Sequence, residues 1–321
     1  MKSVALQRTV KNTSTIIANM KLLGKYKNGN YTVKIFDDGT KIRETEDDEF
    51  IPAFSENSDC KLTDKCSQGC PFCYEGCTPA GKHAEIDLNS NFIKSLHPYT
   101  ELALNGNDMD HPQLLAFLNV LRAKHVITNI TVNQNQLDKN FDLIKDLQKE
   151  GLIHGIGVSL VNANDKLIEM LSGLKNCVLH TICGILSKED IDLLKDKDIK
   201  ILILGYKDLK RGVDYKGEHS DNIQKNKMYL YTILEKMPEW FKVVSFDNLA
   251  IEQLNVKRIM TDEEWKEFYM GDDGHYTFYI DLVKKEFAKN SLSQIRYPME
   301  DLTIDEMFNI ILKNNEHTES I

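Results

Sequence analysis

Apolar and polar positions change their rhythm twice along this chain of 321 residues. Over YTVKIFDDGTKIRET (31–45) the two kinds alternate on either side of Asp38-Gly39, which predicts a strand pair closed by a tight turn. An acidic, turn-rich stretch, TEDDEFIPAFSENS (45–58), follows. From there to about residue 250, short strand-like runs alternate with longer segments of helical period, the signature of repeated β–α units and a parallel sheet. The runs are SDCKLTD, ELALNG, NITVNQ, HGIGVSL, CVLHTIC, IKILILGY and KVVSFDN, with helices such as HPQLLAFLNVLRA, NFDLIKDLQKE, NDKLIEMLSG and SKEDIDLLKD between them.

The faces of these strands narrow the choice of fold. Ile130 and Val132 alternate with Asn129, Thr131 and Asn133, and Ile156, Val158 and Leu160 alternate with Gly155, Gly157 and Ser159. A doubly wound sheet meets helices on both faces and reads as continuous apolar runs, whereas a barrel can keep a small or polar inner face. The expectation is therefore an α/β protein with a partial (β/α)6-type TIM barrel over 58–254, an N-terminal β-hairpin appendage over 1–57 and a small α+β C-terminal region over 255–321. That last region contains a helix around TDEEWKEFYM, the strand pair HYTFYIDL and KKEFAKN, and a helix around TIDEMFNIILKN.

An apolar content of 41% suits a globular core, no apolar run is long enough to cross a bilayer, and the N-terminus has no apolar signal segment, so the cytoplasm is the expected compartment. A net charge of −9 disfavours grip on a phosphate backbone, and KDLKRGVDYKGEH (207–219), a modest candidate for a basic patch, reads as a solvated loop. The acidic clusters TEDDEF and DDGH lack the spacing of a calcium loop. Five of the seven cysteines fall between 60 and 77, which points to reduced thiols or metal ligands rather than a disulfide framework.

Cys66, Cys70 and Cys73 form C-x3-C-x2-C directly after the first strand of the β–α series, where loops leaving carboxyl ends of strands carry chemistry. Zinc usually adds a second ligand pair farther along, and neither Cys177 with Cys183 nor His83 with His111 supplies one at suitable spacing. Three soft thiolates suit an iron–sulfur cubane with one iron left open; a structural zinc or unligated thiols are the alternatives. Cys60 reads as a core thiol and Cys177 and Cys183 as wall residues. His180 reads as a satisfied interior histidine, and Cys77 as an inert neighbour, a radical donor or a persulfide carrier.

LTDKCSQGCPFCYEG resembles the cluster loop of radical S-adenosylmethionine enzymes, C-x3-C-x-(aromatic)-C, with Phe72 at the aromatic position, and the likeness extends over roughly 58–250. The resemblance implies a [4Fe–4S] cluster on Cys66, Cys70 and Cys73, with S-adenosylmethionine bound to the open iron. An electron from a donor such as flavodoxin or ferredoxin would cleave the sulfonium, and the 5′-deoxyadenosyl radical would abstract a substrate hydrogen; oxygen sensitivity follows. It also implies a Gly-Gly-Glu-like contact to the cofactor's amino group in LALNGNDMDHP. There Asn105 stands where a first glycine is usual, Gly106 follows, and Asn107 or Asp108 replaces the glutamate according to register. Asn133 and Ser159 are the candidates for ribose and carboxylate contacts, or else ordinary residues of the polar face.

The substrate is left between classes. HYTFYIDLVKKEF resembles the hairpin of extensions found in relatives that modify peptides or proteins, although no cysteine after Cys183 remains for an auxiliary cluster. Radical modification of a nucleotide-like or sugar small molecule is the second reading, and a non-enzymatic module with a structural cluster or zinc the third. No catalytic residue is assigned, and neither nucleic acid nor membrane is an expected partner.

Overall fold

The computed structural model describes residues 4–6, 20–105 and 108–316. Its strands are β1 (Val4–Leu6), β2 (Leu22–Asn28), β3 (Tyr31–Phe36), β4 (Lys41–Glu44), β5 (Asn57–Lys61), β6 (Glu101–Asn105), β7 (Ile127–Asn133), β8 (Gly155–Ser159), β9 (Cys177–Ile182), β10 (Lys200–Leu204), β11 (Val243–Phe246), β12 (Thr277–Asp281), β13 (Glu286–Ala288) and β14 (Tyr297–Pro298). The helices are α1 (Asn91–Lys94), α2 (Leu114–Ala123), α3 (Gln134–Lys149), α4 (Asp165–Ser172), α5 (Lys188–Leu194), α6 (Arg211–Ile233), α7 (Met237–Trp240), α8 (Asn248–Leu254), α9 (Asp262–Phe268) and α10 (Ile304–Glu316), with short 3-10 turns between some of them.

Eleven strands make one sheet in the order β1-β11-β10-β9-β8-β7-β6-β5-β12-β13-β14, and β2, β3 and β4 make a separate antiparallel sheet. The run from β11 through β5 to β12 is parallel throughout. The chain is thus α/β with a large parallel sheet. Among the described residues the order has two ends, β1 and β14, and no pairing between them closes it into a barrel.

Register sorts the side chains of this sheet into two sets. Cys60, Leu104, Ile130, Ile156 and Val158 face the helices and join Phe117, Leu121, Leu137 and Ile144 in the main core. Removing that apolar area from water is the dominant stabilising term. The opposite face carries Asp59 beside Ala103, Ala103 beside Asn129, and Asn129 beside Gly155. Two rows higher, Asn133, Ser159 and His180 are register neighbours on β7, β8 and β9. Glycine is required within this face for space rather than for backbone angle, since a Cβ on Gly157 would stand 2.2 Å from Cε1 of His180.

Two regions depart from the sequence reading. The stretch read as a solvated loop, 207–219, contains the first turns of α6, which is kinked at His219 and anchored by Ile223, Leu230 and Ile233 farther along. Its amino-terminal half has few apolar positions, so helical period there is invisible until the buried residues begin. The C-terminal hairpin, read as part of a distinct region, continues the main sheet, with β12 pairing in parallel with β5. Phe278 and Ile280 extend the helix-facing set, while Tyr279 and Asp281 sit beside Asp59 and Lys61 on the polar face.

The small sheet docks through buried charge. Glu56, fully buried, accepts from Tyr31 Oη at 2.6 Å and from Arg43 Nε at 2.7 Å, and pairs with Lys41 Nζ at 3.2 Å. Lys41 also meets Glu101 at 2.5 Å. Burial alone would raise the Glu56 carboxyl, but Lys41 and Arg43 hold it below the ordinary carboxylate range.

Gly157→Ala should cost about 1–3 kcal/mol in urea unfolding, as expected for overpacking. A double-mutant cycle with His180→Ala should recover most of that loss. Independent, additive costs would show that the ring is not what excludes a side chain at 157.

Candidate functional site

The cysteine loop is held like a closed purse. Its ends are joined by Ala84 N to Leu62 O at 2.8 Å and Asp64 N to Lys82 O at 2.8 Å, and a second ring forms inside through Cys66 N to Thr78 O at 2.9 Å. Cys73 N to Cys70 O and Gly76 N to Cys73 O, both 3.2 Å, fold the interior into consecutive turns. Gly69 and Gly76 both adopt φ of +63°, a conformation in which a side chain would be strained. The loop leaves the carboxyl end of β5.

Lys61, the last residue of β5, fixes the loop from below. It is 3% exposed, and Nζ pairs with Asp64 Oδ1 at 2.5 Å, Glu75 Oε2 at 2.7 Å and Asp281 Oδ2 at 3.5 Å. Burial opposes the charge, yet the carboxylates, Glu75 foremost, keep the ammonium more firmly protonated than usual. From the other side Arg211, first residue of α6, donates from Nε to Cys70 O and from Nη1 to Cys77 O, each at 3.1 Å. Neither residue is among those singled out from the sequence. Lys61 looked like any strand-end lysine, and Arg211 lay in the stretch read as loop.

The thiols are not equivalent. The Cys77 thiol donates to Cys73, and the backbone N–H groups of Cys77, Gly76 and Glu75 also face that sulfur; together they lower the Cys73 pKa from 9.0 to about 5. Cys77, which is buried, is pushed up by the same contact. Cys70 is raised by burial and by the negative charge of Cys73 and Cys66 nearby. Of this pair, Cys73 is the thiol that ionises more readily. Cys66, Cys70 and Cys73 are half-buried, while Cys60 and Cys183 are fully buried in the core.

Among the described residues, no three Cys, His, Asp or Glu side chains converge to hold a single metal ion. A tetrahedral zinc needs that convergence, whereas the thiolates of a cubane each take a separate iron corner and stay apart. Three soft donors on one closed loop are a donor set that suits an iron–sulfur cluster.

The structure brings several of the other sequence candidates to this loop. Asn133 Nδ2 lies 3.8 Å from Cys70 Sγ, while its Oδ1 accepts from Asn135 N at 2.9 Å and caps α3, so one side chain serves both the helix and the loop. Ser159 is its register neighbour. Phe72 meets Tyr215 of α6 edge-on, with ring centroids 5.7 Å apart. Asn105 ends β6 beside Lys61 on the polar face, and its carbonyl accepts from Leu62 N at 3.3 Å. Gly106 and Asn107 lie outside the described residues. The backbone of Asp108 begins a 3-10 turn.

His180 differs from the expectation of a satisfied interior histidine, because its buried Nδ1 has no hydrogen-bond partner among the described residues. Burial lowers its pKa from 6.5 to about 4, against the pull of Asp59. It is neutral at physiological pH and stands beside Ser159 on the polar face.

No protein-family model matches the chain, and no curated protein does. Among solved structures, the chain is similar to Streptococcus suis SuiB bound to S-adenosylmethionine, with 17% identity and a TM-score of 0.46 over 80% of this chain and 64% of that one. The chain thus spans less than two thirds of the length of that protein's chain.

Lys61→Met should destabilise the fold by about 3–5 kcal/mol in urea, because it strands carboxylates that the ammonium compensates; a loss below 1 kcal/mol would mean the three carboxylates are solvated. For His180 the folded pKa lies below the unfolded value. Its contribution is complete above pH 6.5 and is lost as pH falls toward 4, because the unfolded chain then binds the proton. His180→Gln should flatten the stability profile across that window, and an unchanged slope would place the acid sensitivity elsewhere.

Proposed function

We propose that this chain is a radical S-adenosylmethionine enzyme, with Cys66, Cys70 and Cys73 as the ligands of one [4Fe–4S] cluster. The observation that carries the reading is the closed loop itself. It presents three thiols at the carboxyl end of a parallel strand and beside a polar sheet face. The group when bound supplies reductive cleavage of the sulfonium and a 5′-deoxyadenosyl radical that removes a hydrogen from the substrate.

The chain's own residues give that chemistry its setting. Arg211 fixes the carbonyls of Cys70 and Cys77 and so fixes the direction of the thiols between them. The Cys77 thiol, donating to Cys73, favours the ionised form that a metal ligand requires, which gives the fourth cysteine of the loop a positioning role. Asn133 and Ser159, side by side at the ends of β7 and β8, offer donors and acceptors next to Cys70. Asn105 offers a further acceptor at the end of β6 for an ammonium group, with Asn107 and Asp108 beyond it in the sequence. Phe72, edged by Tyr215, covers one flank of the loop against water.

The substrate in this reading is a peptide or protein, or else a nucleotide-like or sugar small molecule. The hairpin behind the peptide reading is built into the main sheet as β12 and β13 and favours neither class. A one-electron donor such as flavodoxin or ferredoxin completes the system.

Anaerobic reconstitution should give a brown protein with about four irons per chain. Dithionite and S-adenosylmethionine should then release 5′-deoxyadenosine, and Cys70→Ala should abolish both results. Zinc alone in oxygen-protected protein, or a cluster that never cleaves the cofactor, would overturn the reading.

A further inference from the structure

Two cations stand against aromatic rings, Lys207 at Tyr74 of the cysteine loop and Arg296 at Tyr279 of β12. Lys207, in the segment after β10, places Nζ 3.9 Å from the centre of the Tyr74 ring and donates to Ser291 Oγ at 3.1 Å. Among the described residues no carboxylate lies within 4.0 Å of that ammonium, although Asp247 and Asp59 act on it from farther away. Arg296, after β13, has its guanidinium 5.2 Å from the centre of the Tyr279 ring and donates from Nη2 to the carbonyl of Ser291 at 2.8 Å. Among the described residues its one carboxylate contact is long, Nε to Glu286 Oε1 at 3.9 Å, and its buried Nη1 has no hydrogen-bond partner. Ser291 therefore joins both cations, one through its hydroxyl and the other through its carbonyl.

Buried donors are ordinarily satisfied, and a desolvated cation ordinarily has a counter-ion. Here, among the described residues, Arg296 Nη1 lacks a partner and neither cation has a carboxylate closer than 3.9 Å, at a place where the segments carrying Tyr74, Lys207 and Ser291 converge. We propose that Lys207 and Arg296 form a subsite for a carboxylate of the substrate, with Tyr74 and Tyr279 as its walls. A single negative charge fits better than a phosphate dianion, because Asp59 and Asp247 lie near Lys207 and Glu75 and Asp281 lie near Tyr279, so added charge meets repulsion. As a substrate subsite this rests on the proposed activity; as an anion site it stands on the geometry alone.

The test is an NMR titration of the full-length chain, labelled with ¹³C in its tyrosine rings, with Tyr74 and Tyr279 assigned by Phe substitution. Acetate is the probe and chloride at equal ionic strength the control. Both ring signals should shift saturably with acetate and not with chloride. Lys207→Met should weaken binding about tenfold or more, as expected for loss of a charge-assisted hydrogen bond, and Lys207→Arg should restore it. Shifts that follow ionic strength alone, or equal saturation in Lys207→Met, would overturn the site. Inorganic phosphate binding more tightly than acetate would overturn the preference for one charge. Displacement of acetate by S-adenosylmethionine would overturn the assignment to substrate, since the carboxylate would then be the cofactor's. None of these readouts depends on cofactor cleavage, so failure here and failure of the proposed activity are told apart.

Discussion

An ammonium group removed from water governs the architecture around the cysteines. Desolvating Lys61 is costly, and the cost is offset only if carboxylates from different parts of the chain reach it. Asp64 and Glu75 come from the loop itself and Asp281 from the far end of the sequence. The charge thus acts as a geometric condition. The loop must fold back over the end of β5, and β12 must lie alongside, or the lysine is left uncompensated.

The same strand is bracketed at its other end. Glu56, just before β5, is buried with Lys41, Arg43 and Tyr31, and this arrangement brings the small sheet against the large one. Between the two ionic groups the strand follows period-two packing, with Cys60 among the helix-facing apolar residues and Asp59 on the polar face. Apolar burial supplies most of the stability, and the two charge groups specify which pieces meet at each end. Arg211 and the Cys77–Cys73 pair then refine the loop at the level of single atoms.

The parts of this arrangement that repeat locally were legible in the sequence. Each of the seven runs from SDCKLTD to KVVSFDN contains or overlaps a strand of the sheet, because alternation is a property of adjacent residues. The spacing of Cys66, Cys70 and Cys73 was visible for the same reason. Pairings across long separations were not. Nothing near Lys61 announces Asp281, and nothing near Tyr74 announces Lys207. The turn at Asn28-Gly29-Asn30, which adds β2 to the small sheet, went unread beside the stronger signal at Asp38-Gly39. Arg211 was hidden in a stretch whose polar composition suggests a loop, since the apolar anchors of α6 lie a dozen or more residues later. Asn133 was singled out as a polar-face residue, and its second task as a helix cap emerges only when the start of α3 is known.

The closure of the cysteine loop on itself also bears on the order of assembly. Leu62 and Ala84, whose backbone bond shuts the loop, are close in the chain, so the entropy lost on closing it is small and it can form as soon as that stretch has been synthesised. β12, with the third carboxylate for Lys61, comes some two hundred residues later. On a growing chain the thiols are therefore gathered well before the sheet that shelters them is complete. If the loop holds the proposed cluster, the interval between these two events is a window in which iron could reach it without a finished fold having to reopen.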